Sequence, residues 1–472
     1  MWYNYLRKTH GHKKLKYYNY MNRRNFFTMI GSAGVAASLN SVVKANTSSA
    51  ASTINAVVSY EEIASLPGDV DKNIFKPLYE EILKIPAINN HMHYNDEEST
   101  IDWYLNKLPE KTNVMTSGVL DDLKRLLNFS GKITDSNINS IKEKYKKYCK
   151  KNSQTEYWDE LSKITNTSNI VFMTQPELPE NKSLLSKKYK MCMHVDQYIF
   201  PLDNSTLAPR NPESMYRASA NTDMLNREIK AMGIVNLPKK FDKYLEFVEA
   251  AFLKQQSIPN IVGGKWSLAY FRTFDFRPGS KSDAKKVYES GDTTPASYKE
   301  LQDYMAYFML KLFVKHKFPL QIHSGLGAGK SLVLSDSQPA KLDYLLSIDA
   351  VKNAKICFLH GGYPFCNQLG PMVKSRPNIY IDFSWMTLLL SPDTLAGYLK
   401  EWIEVSSPWN ILFGIDATGI AQFRGNWCGR KALAIALSRM LQEQQFTETE
   451  AYGIAHGIMR NNALKFYETK WA

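Results

Sequence analysis

Eight short apolar runs, separated by longer stretches with helical spacing, constrain the fold of this chain more than any other feature of its sequence. The runs read PAINNHMH, SNIVFMTQ, YKMCMHVDQ, NIVGGKWSLAYF, FPLQIHS, AKICFLHGG, NIYIDFSW and NILFGIDAT. Strands that alternate with helices are typical of βα units, which build parallel sheets. Eight such units favour a TIM-type (β/α)8 barrel, an α/β fold, over an open doubly wound sheet. The 472 residues suffice for a barrel with insertions.

The region between the first two predicted strands, about residues 97–165, is polar, rich in Lys and helical in period. We expect it to form a helical insertion beside the barrel. The predicted order along the chain is therefore a leader segment over 1–45, a Ser/Thr/Ala-rich linker and lead-in over 46–84, and the barrel over 85–472.

Polar side chains end several of the predicted strands, and a (β/α)8 barrel builds its active site from these ends. His91 and His93 end the first strand, and both should face the same side because side chains alternate along a strand. His323, His360 and Asp416 each follow a later apolar run. Because a barrel brings these ends together, the residues predict a site for one or two divalent ions, Zn²⁺ first and Mn²⁺ or Fe²⁺ as alternatives.

These positions and the segments around them resemble a known family. The chain is similar to the amidohydrolase superfamily, in particular to the amidohydrolase-related (amidohydrolase 2) branch that includes the domain fused to glutamine synthetase in nodulin-like proteins. The likeness lies in His91-x-His93, His323 in LQIHSGLG, His360 in FLHGGYPF and Asp416 in ILFGIDAT. The segments GGKWSLAYFRT, YPFCNQLGPMVKSRPNIYIDFS and RNNALKFY extend it. The resemblance implies a metal-dependent hydrolase barrel.

The resemblance also implies roles for these residues. His91, His93, His323 and Asp416 would hold or contact the catalytic metal. His360 would be a ligand of a second metal, or would polarise the substrate or activate water. Asp416 can in addition accept the proton of an attacking water and pass it to the leaving group.

Several further residues allow more than one interpretation of their role. Lys265 stands where related proteins place a carboxylated lysine that bridges two metals, but it could equally pair with a substrate carboxylate. Tyr270 and Arg272 are candidates for substrate binding, since Arg suits a carboxylate, or else a packed aromatic and a surface cation. Asn95 is a candidate pocket residue, and His194 is undecided.

Residues 1–45 have the features of a twin-arginine export signal. Arg23 and Arg24 precede a weakly apolar run that is rich in Gly, Ala and Ser. The run is too short for a membrane span. We expect cleavage after Ala45, the twin-arginine export machinery as a partner and a periplasmic location, with an uncleaved amphipathic tail as the alternative. Met21, just before the signal, is an alternative start.

Charge and cysteine content exclude some classes of protein. The net charge is +13, but the first 45 residues hold eight Lys or Arg and no acidic residue, so the rest of the chain carries only +5. That value argues against a nucleic-acid partner. Five Cys without C-x-x-C spacing argue against a disulfide framework and a cysteine zinc site. No long heptad pattern appears, so the oligomeric state stays open.

The leading hypothesis is a metal-dependent hydrolase that acts on a C–N or C–O bond of a small molecule, such as an amide, cyclic amide or lactone, through metal-activated water. The alternative is a different reaction at the same site, either non-oxidative decarboxylation or a sugar-acid isomerisation as in the uronate isomerases. A third hypothesis is a catalytically silent barrel used for binding. Fold alone does not choose among these reactions.

Overall fold

Eight strands form one sheet in chain order, and each strand is parallel to the next. The computed structural model describes residues 65–94, 118–173 (except 119, 121, 125, 152 and 153), 188–205, 214–327, 332–417 and 419–468. The strands are β1 (Ala87–His93), β2 (Thr167–Met173), β3 (Tyr189–His194), β4 (Ile261–Trp266), β5 (Leu320–Ile322), β6 (Ile356–Phe358), β7 (Ile379–Asp382) and β8 (Ile411–Leu412). Each lies within one of the eight predicted runs or starts one residue before it.

Backbone hydrogen bonds close the sheet between its last and first strands. Asn90 N donates to Phe413 O (2.9 Å), and two further bonds, Asp416 N to His91 O (2.8 Å) and His93 N to Ala417 O (3.2 Å), continue this seam past β8. Closure leaves the sheet without free edges. The predicted (β/α)8 barrel is therefore confirmed.

Helices follow the strands and cover the barrel. They are α1 (Lys72–Lys84), α2 (Ile138–Lys151), α3 (Gln154–Ile164), α4 (Ser214–Ala231), α5 (Phe241–Gln256), α6 (Lys281–Ser290), α7 (Pro295–Lys315), α8 (Asp343–Leu346), α9 (Cys366–Ser375), α10 (Met386–Leu389), α11 (Pro392–Val405), α12 (Gln422–Gln442), α13 (Glu448–His456) and α14 (Asn462–Tyr467). Within the described ranges, no helix has the length and apolar character needed to cross a bilayer. All five Cys are free thiols.

Local sequence signals set several helix ends. Ser280 caps α6 by accepting from Asp283 N, and Gly291 ends that helix in the left-handed region at φ 70°. Thr447 and Glu450 form a capping box at the start of α13. These caps satisfy backbone groups that the helices themselves leave unpaired.

The helical insertion packs against the outside of β2. Its described part contains α2 and α3, joined by a hydrogen bond of 2.8 Å between the hydroxyls of Tyr145 and Tyr157. Trp158 of α3 is fully buried and meets Phe172 of β2 edge to face at 5.1 Å between ring centroids. The insertion is thus attached by aromatic burial, and its predicted first part, residues 97–117, lies outside the described residues.

The C-terminal helix α14 closes the barrel at the end where the strands begin. Asn462 Nδ2 donates to Pro408 O and Ile411 O, both at 2.8 Å. Phe466 and Tyr467 join a buried layer inside the barrel that includes Ile88 of β1 and Leu412 of β8. A side chain from α14 therefore reaches the barrel interior, where it can touch the residues beneath the strand ends.

Candidate metal centre

Three predicted ligands converge at the C-terminal ends of β1 and β8. Asp416 Oδ1 lies 3.3 Å from His91 Nε2 and 3.0 Å from His93 Nε2. All three atoms lie within 4.8 Å of one another. The side chain of His91 is 1% exposed and that of His93 is 36% exposed, so the cluster is buried on one side and open on the other.

The chemistry of this cluster fits a cation. Asp416 Oδ1 is buried and accepts no hydrogen bond within the described residues, although both imidazole nitrogens approach it. A buried carboxylate oxygen without a partner costs free energy unless something else completes it. Two imidazoles and one carboxylate are a ligand set that divalent ions such as Zn²⁺ accept. His91, His93 and Asp416 are therefore placed as a metal site requires.

A hydrogen-bond network beneath the cluster fixes the tautomer of His91. Gln321 Nε2 donates to Asn90 O and to the Tyr467 hydroxyl, both at 2.7 Å, so Gln321 Oε1 is the atom that faces His91 Nδ1 at 2.9 Å. Because Oε1 only accepts, His91 Nδ1 must carry the proton. His91 Nε2 is then left with its lone pair directed at Asp416, which is the form that binds a metal.

His323 and His360 form a second pair beside the first cluster. His323 Nε2 faces the Leu326 carbonyl oxygen at 3.1 Å, so this nitrogen carries the proton and Nδ1 is left as an acceptor. His323 Nδ1 lies 3.0 Å from His360 Nε2, which also lies 3.4 Å from Asp416 Oδ2. His360 Nδ1 contacts the Ser384 hydroxyl at 2.9 Å. His360 thus lies between Asp416 and His323, and His323 contacts the three-residue cluster only through it.

Three residues at this end of the barrel have a strained backbone conformation. His360, Trp385 and Asp416 all have positive φ angles, of 63°, 60° and 52°. Side chains other than glycine rarely adopt this region, and such residues cluster at functional sites. Gly361 and Gly362 continue the turn after His360, also at positive φ. The strain turns His360 and Asp416 toward the same space.

Burial sets the charge state of the cluster. It lowers the pKa of His91 to about 4 and that of His360 to about 3, and holds the pKa of His323 well below its usual value. These imidazoles are therefore neutral at pH 7, as metal ligands must be. Burial alone would raise the pKa of Asp416, but the neighbouring His360, His91 and His93 hold it well below its usual range.

Lys265 lies beneath the same cluster. Its Cα pairs with that of His194 on one side and with that of Gln321 on the other, so the three side chains share a level of the barrel. Lys265 Nζ is 3.4 Å from His91 Nε2, and burial lowers its pKa to about 8. The structure thus brings Lys265 next to a predicted metal ligand.

The structure gives a different result for each of the three residues predicted to bind substrate. The Tyr270 ring packs against that of His323, tilted by 43° and with 4.7 Å between ring centroids, and so borders the site. Arg272 is 5% exposed, and its Nη2 pairs with Asp303 Oδ1 of α7 at 2.6 Å. Because this buried ion pair occupies the guanidinium, we do not assign Arg272 to substrate binding. Asn95 lies outside the described residues.

Several residues that support the site were not among the predicted ones. Asn90 Nδ2 donates to Asp382 Oδ2 at 2.9 Å, and Ser384 N donates to Asp382 Oδ1 at 2.7 Å. Through Tyr467, whose hydroxyl donates to Asn90 Oδ1 at 2.6 Å, these residues join the network that holds Gln321. The signal that could have found them is a polar residue inside a buried strand, as in LQI and IYID.

Comparisons with known proteins agree with this geometry. The amidohydrolase family model (Amidohydro_2) matches residues 287–469, which contain β5 to β8. Protein fluG of Emericella nidulans is 26% identical over 226 residues, which cover 44% of this chain and 26% of the relative's length. The chain therefore spans about a quarter of that relative, and nothing of the relative's remaining length is matched.

Solved structures show the same fold. A uronate isomerase from Thermotoga maritima has a TM-score of 0.64 at 14% identity, covering 84% of this chain and 98% of the other. A protein described as a metal-dependent hydrolase from Lactobacillus casei has a TM-score of 0.59 at 17% identity, covering 83% and 97%. Identities this low establish the fold and not the reaction.

The barrel with its His–His–Asp cluster is therefore similar to the amidohydrolase family over residues 287–469, the region that contains His323, His360 and Asp416.

Proposed function

We propose that this protein is a metal-dependent hydrolase that acts on a C–N or C–O bond of an amide, cyclic amide or lactone. The observation that carries the proposal is the buried Asp416 Oδ1, which accepts no hydrogen bond within the described residues yet faces the metal-binding nitrogens of His91 and His93. A merely structural carboxylate at this depth would be hydrogen bonded.

His91, His93 and Asp416 would hold the ion, and His323 Nδ1 with His360 Nε2 would offer ligands to a second one. The mixture of imidazole and carboxylate ligands favours Zn²⁺, with Mn²⁺ and Fe²⁺ as alternatives. When bound there, a divalent ion lowers the pKa of water towards about 7 and polarises a substrate carbonyl.

Asp416 is the proposed general base. Its pKa is held well below the usual range, so the carboxylate is ionised at neutral pH and accepts a proton from the attacking water. It then returns that proton to the leaving nitrogen or oxygen. Its Oδ2 lies 3.4 Å from His360 Nε2. As the alternative to binding a second ion, His360 would use this nitrogen to orient the carboxylate and to donate to an oxygen of the substrate.

Lys265 is the remaining proposed catalytic residue. Its amine lies 3.4 Å from His91 Nε2. Either a carboxylated Lys265 bridges two ions, or its ammonium contacts a negatively charged group. Mass spectrometry of the native protein separates the two, since carboxylation adds the mass of CO₂ to the chain.

A metal-reconstituted assay tests the function. Purified protein is analysed for metal and then assayed against lactones, cyclic amides and amides, with mass detection of products. Hydrolysis adds water to the substrate, decarboxylation releases CO₂ and a uronate isomerisation leaves the mass unchanged. A protein that holds no metal and ignores chelators would contradict the proposal, and metal retention without turnover on the panel would favour a binding barrel.

We also propose export by the twin-arginine route. The support is the sequence around Arg23 and Arg24, which lies outside the described residues. Fusion of residues 1–46 to a reporter that works only after periplasmic folding should give a signal that requires the twin-arginine machinery. Replacing both arginines by lysine should abolish that signal, and a signal that persists would exclude this route.

A further inference from the structure

The Ser384 hydroxyl lies between a buried carboxylate and the ring of His360. Asp382 ends β7, Ser384 follows it by two residues, and both side chains are fully buried. Ser384 Oγ lies 2.9 Å from His360 Nδ1, and Ser384 N donates to Asp382 Oδ1 at 2.7 Å. A hydroxyl has one proton to donate, so its two neighbours decide which of them receives the proton and which faces an acceptor.

Asp382 accepts N–H donors on both of its oxygens. Asn90 Nδ2 donates to Oδ2 at 2.9 Å, while the backbone of Ser384 occupies Oδ1. Burial raises the pKa of Asp382 to about 6, and hydrogen bonds from the Ser384 side chain, from Asn90 and from the backbone of Ser384 and His360 oppose that effect. A side chain with this many donors around it acts as a carboxylate acceptor. It therefore receives the single proton of the Ser384 hydroxyl.

Gly414 leaves room for this pair just past β8. A Cβ atom at position 414 would collide with Asp382 Oδ2 and would lie 2.8 Å from Ser384 Cβ. Cβ atoms do not approach other atoms so closely, so any larger residue here would displace the carboxylate or the hydroxyl. The lack of a side chain at position 414 thus preserves the contact between Ser384 and His360.

The tautomer of His360 follows from these donors. Because the Ser384 proton goes to Asp382, Ser384 Oγ can only accept from His360 Nδ1. Nδ1 therefore carries the proton of the neutral ring, and Nε2 keeps its lone pair. His323 Nδ1, which also has a lone pair, faces this nitrogen at 3.0 Å, and Asp416 Oδ2 lies 3.4 Å from it. Three acceptor atoms thus converge, and a cation is what completes such a set.

We propose that Ser384, held by Asp382, is a positioning residue that keeps the proton of His360 on Nδ1 and so presents Nε2 as a metal ligand. The proposal rests on the proposed function for the metal alone, because the position of the proton is a property of the metal-free protein. Gln321 has the same role for His91. Two separate buried side chains therefore hold two rings with their Nε2 lone pairs towards Asp416.

NMR of the histidine ring nitrogens tests the tautomer in the metal-free, full-length protein. Protonated and unprotonated ring nitrogens have widely separated chemical shifts, and comparison with His360→Asn identifies the signals of His360 in protein made with isotope-labelled histidine. At neutral pH we expect a proton on Nδ1 of His360 and none on Nε2. A proton on Nε2, alone or together with one on Nδ1, would overturn the proposal without any variant of Ser384.

Variants of the pair test what holds the proton in place. Ser384→Ala removes the acceptor, so the ratio of the two ring forms of His360 should change by about fivefold or more. Asp382→Asn should act in the same direction, because an amide can donate to Ser384 Oγ and free the hydroxyl proton for Nδ1. Thermal unfolding checks that each variant is folded.

Ser438→Ala is the matched control for the loss of a buried hydroxyl. Ser438 lies on α12, is fully buried and makes no hydrogen bond through Oγ within the described residues. Its replacement should leave the His360 signals unchanged. A wild-type tautomer in both Ser384→Ala and Asp382→Asn would show that the pair does not position His360.

Metal affinity is the second readout. A ring that no longer presents Nε2 in one form is a poorer ligand, so Ser384→Ala should weaken the binding of the ion that His360 contacts by about 10- to 100-fold. Competition with a chelator measures this change, and unchanged affinity for every bound ion would contradict the ligand role of His360. A protein with the expected tautomers that binds no metal refutes only the proposed function. One that binds metal but keeps its tautomer in Ser384→Ala refutes only the role of Ser384.

Discussion

The two ends of the barrel differ in whether their buried polar groups find hydrogen-bond partners within the protein. At the end where the strands begin, Arg430 is 1% exposed and donates to the carbonyls of Ile85, Thr165 and Asn166. At the other end, Asp416 Oδ1 and His194 Nδ1 are buried without hydrogen bonds within the described residues. The guanidinium of Arg430 thus finds its partners within the protein, whereas Asp416 Oδ1 and His194 Nδ1 find none in the described part of the chain. Barrel enzymes divide stability and function in the same way.

Strained backbone also lies at the open end, where His360, Trp385 and Asp416 have positive φ angles, although Asn166 and Lys317 have them near strand starts. Each such residue costs of the order of 1–3 kcal/mol and persists only where the surroundings enforce it. Contacts at the end where the strands begin help to keep the backbone in this conformation, because Arg430 and α14 hold the strand starts in place. Variants at the two ends should therefore have opposite effects on activity and on stability.

Asp416→Asn should produce the largest effect on activity. The amide cannot accept the water proton, so we expect kcat to fall by about 10³-fold or more. Because the depressed pKa of Asp416 implies that its charge stabilises the fold at neutral pH, the metal-free variant should be no more stable than the wild type. Steady-state kinetics and thermal unfolding measure the two effects. Asp349→Asn, at a side chain that is 93% exposed, is the control, and full activity in Asp416→Asn would remove this residue from the mechanism.

Arg430→Met should produce the largest effect on stability. Methionine keeps the apolar stem but leaves several buried carbonyls without donors, so unfolding should become about 3–5 kcal/mol easier. Activity per folded molecule should stay near that of the wild type. Chemical denaturation gives the free energy of unfolding.

The matched control is Arg439→Met on the same helix, α12. Arg439 pairs with the exposed Asp69 and Asp393, so its loss should cost about 1 kcal/mol or less. Equal costs for the two arginine variants would contradict the division between the ends, as would a loss of metal in Arg430→Met.

Gln321→Leu should weaken metal binding without reaching the metal itself. Without Oε1, the tautomer of His91 is no longer fixed, and the loss of such a partner typically lowers metal affinity by 10- to 100-fold, so we expect about that change. Competition with a chelator measures it. Gln321→Glu separates this role from packing, because glutamate still accepts from His91 Nδ1. If both variants bind metal equally weakly, the effect lies in packing.

The sequence predicted the strands and the convergence of three candidate ligands because both follow simple periodicities. Apolar runs marked every strand, and His91, His93 and Asp416 stood at run ends, where barrel topology gathers them. Gln321 and Tyr467 were missed because they act across 146 positions of chain, through a contact that only the closed barrel creates. A local sequence pattern cannot predict a contact between residues so far apart in the chain.

Arg272 was predicted as a candidate for substrate binding, but the structure pairs it with another residue of the protein. Its position after β4 suggested an exposed cation available to a substrate, but Asp303 comes from α7 and pairs with it at 2.6 Å. No sequence pattern near Arg272 predicts this partner. The pairing partner, and not the residue type, thus shows that Arg272 has a structural role.

The smallest predicted effect is on the pH dependence of stability. The pKa of His360 is about 3 in the folded protein, mainly because of burial, and about 6.5 when unfolded. The unfolded state then binds more protons between these values, so the metal-free protein should lose stability as pH falls from about 6.5 towards 3. His360→Asn removes this proton uptake and should make the loss shallower. His316→Asn, at the half-buried C-terminal end of α7, is the control. Identical slopes in wild type and His360→Asn would mean that His360 is already protonated in the fold, and the open end would then hold a fixed positive charge instead of a neutral ligand.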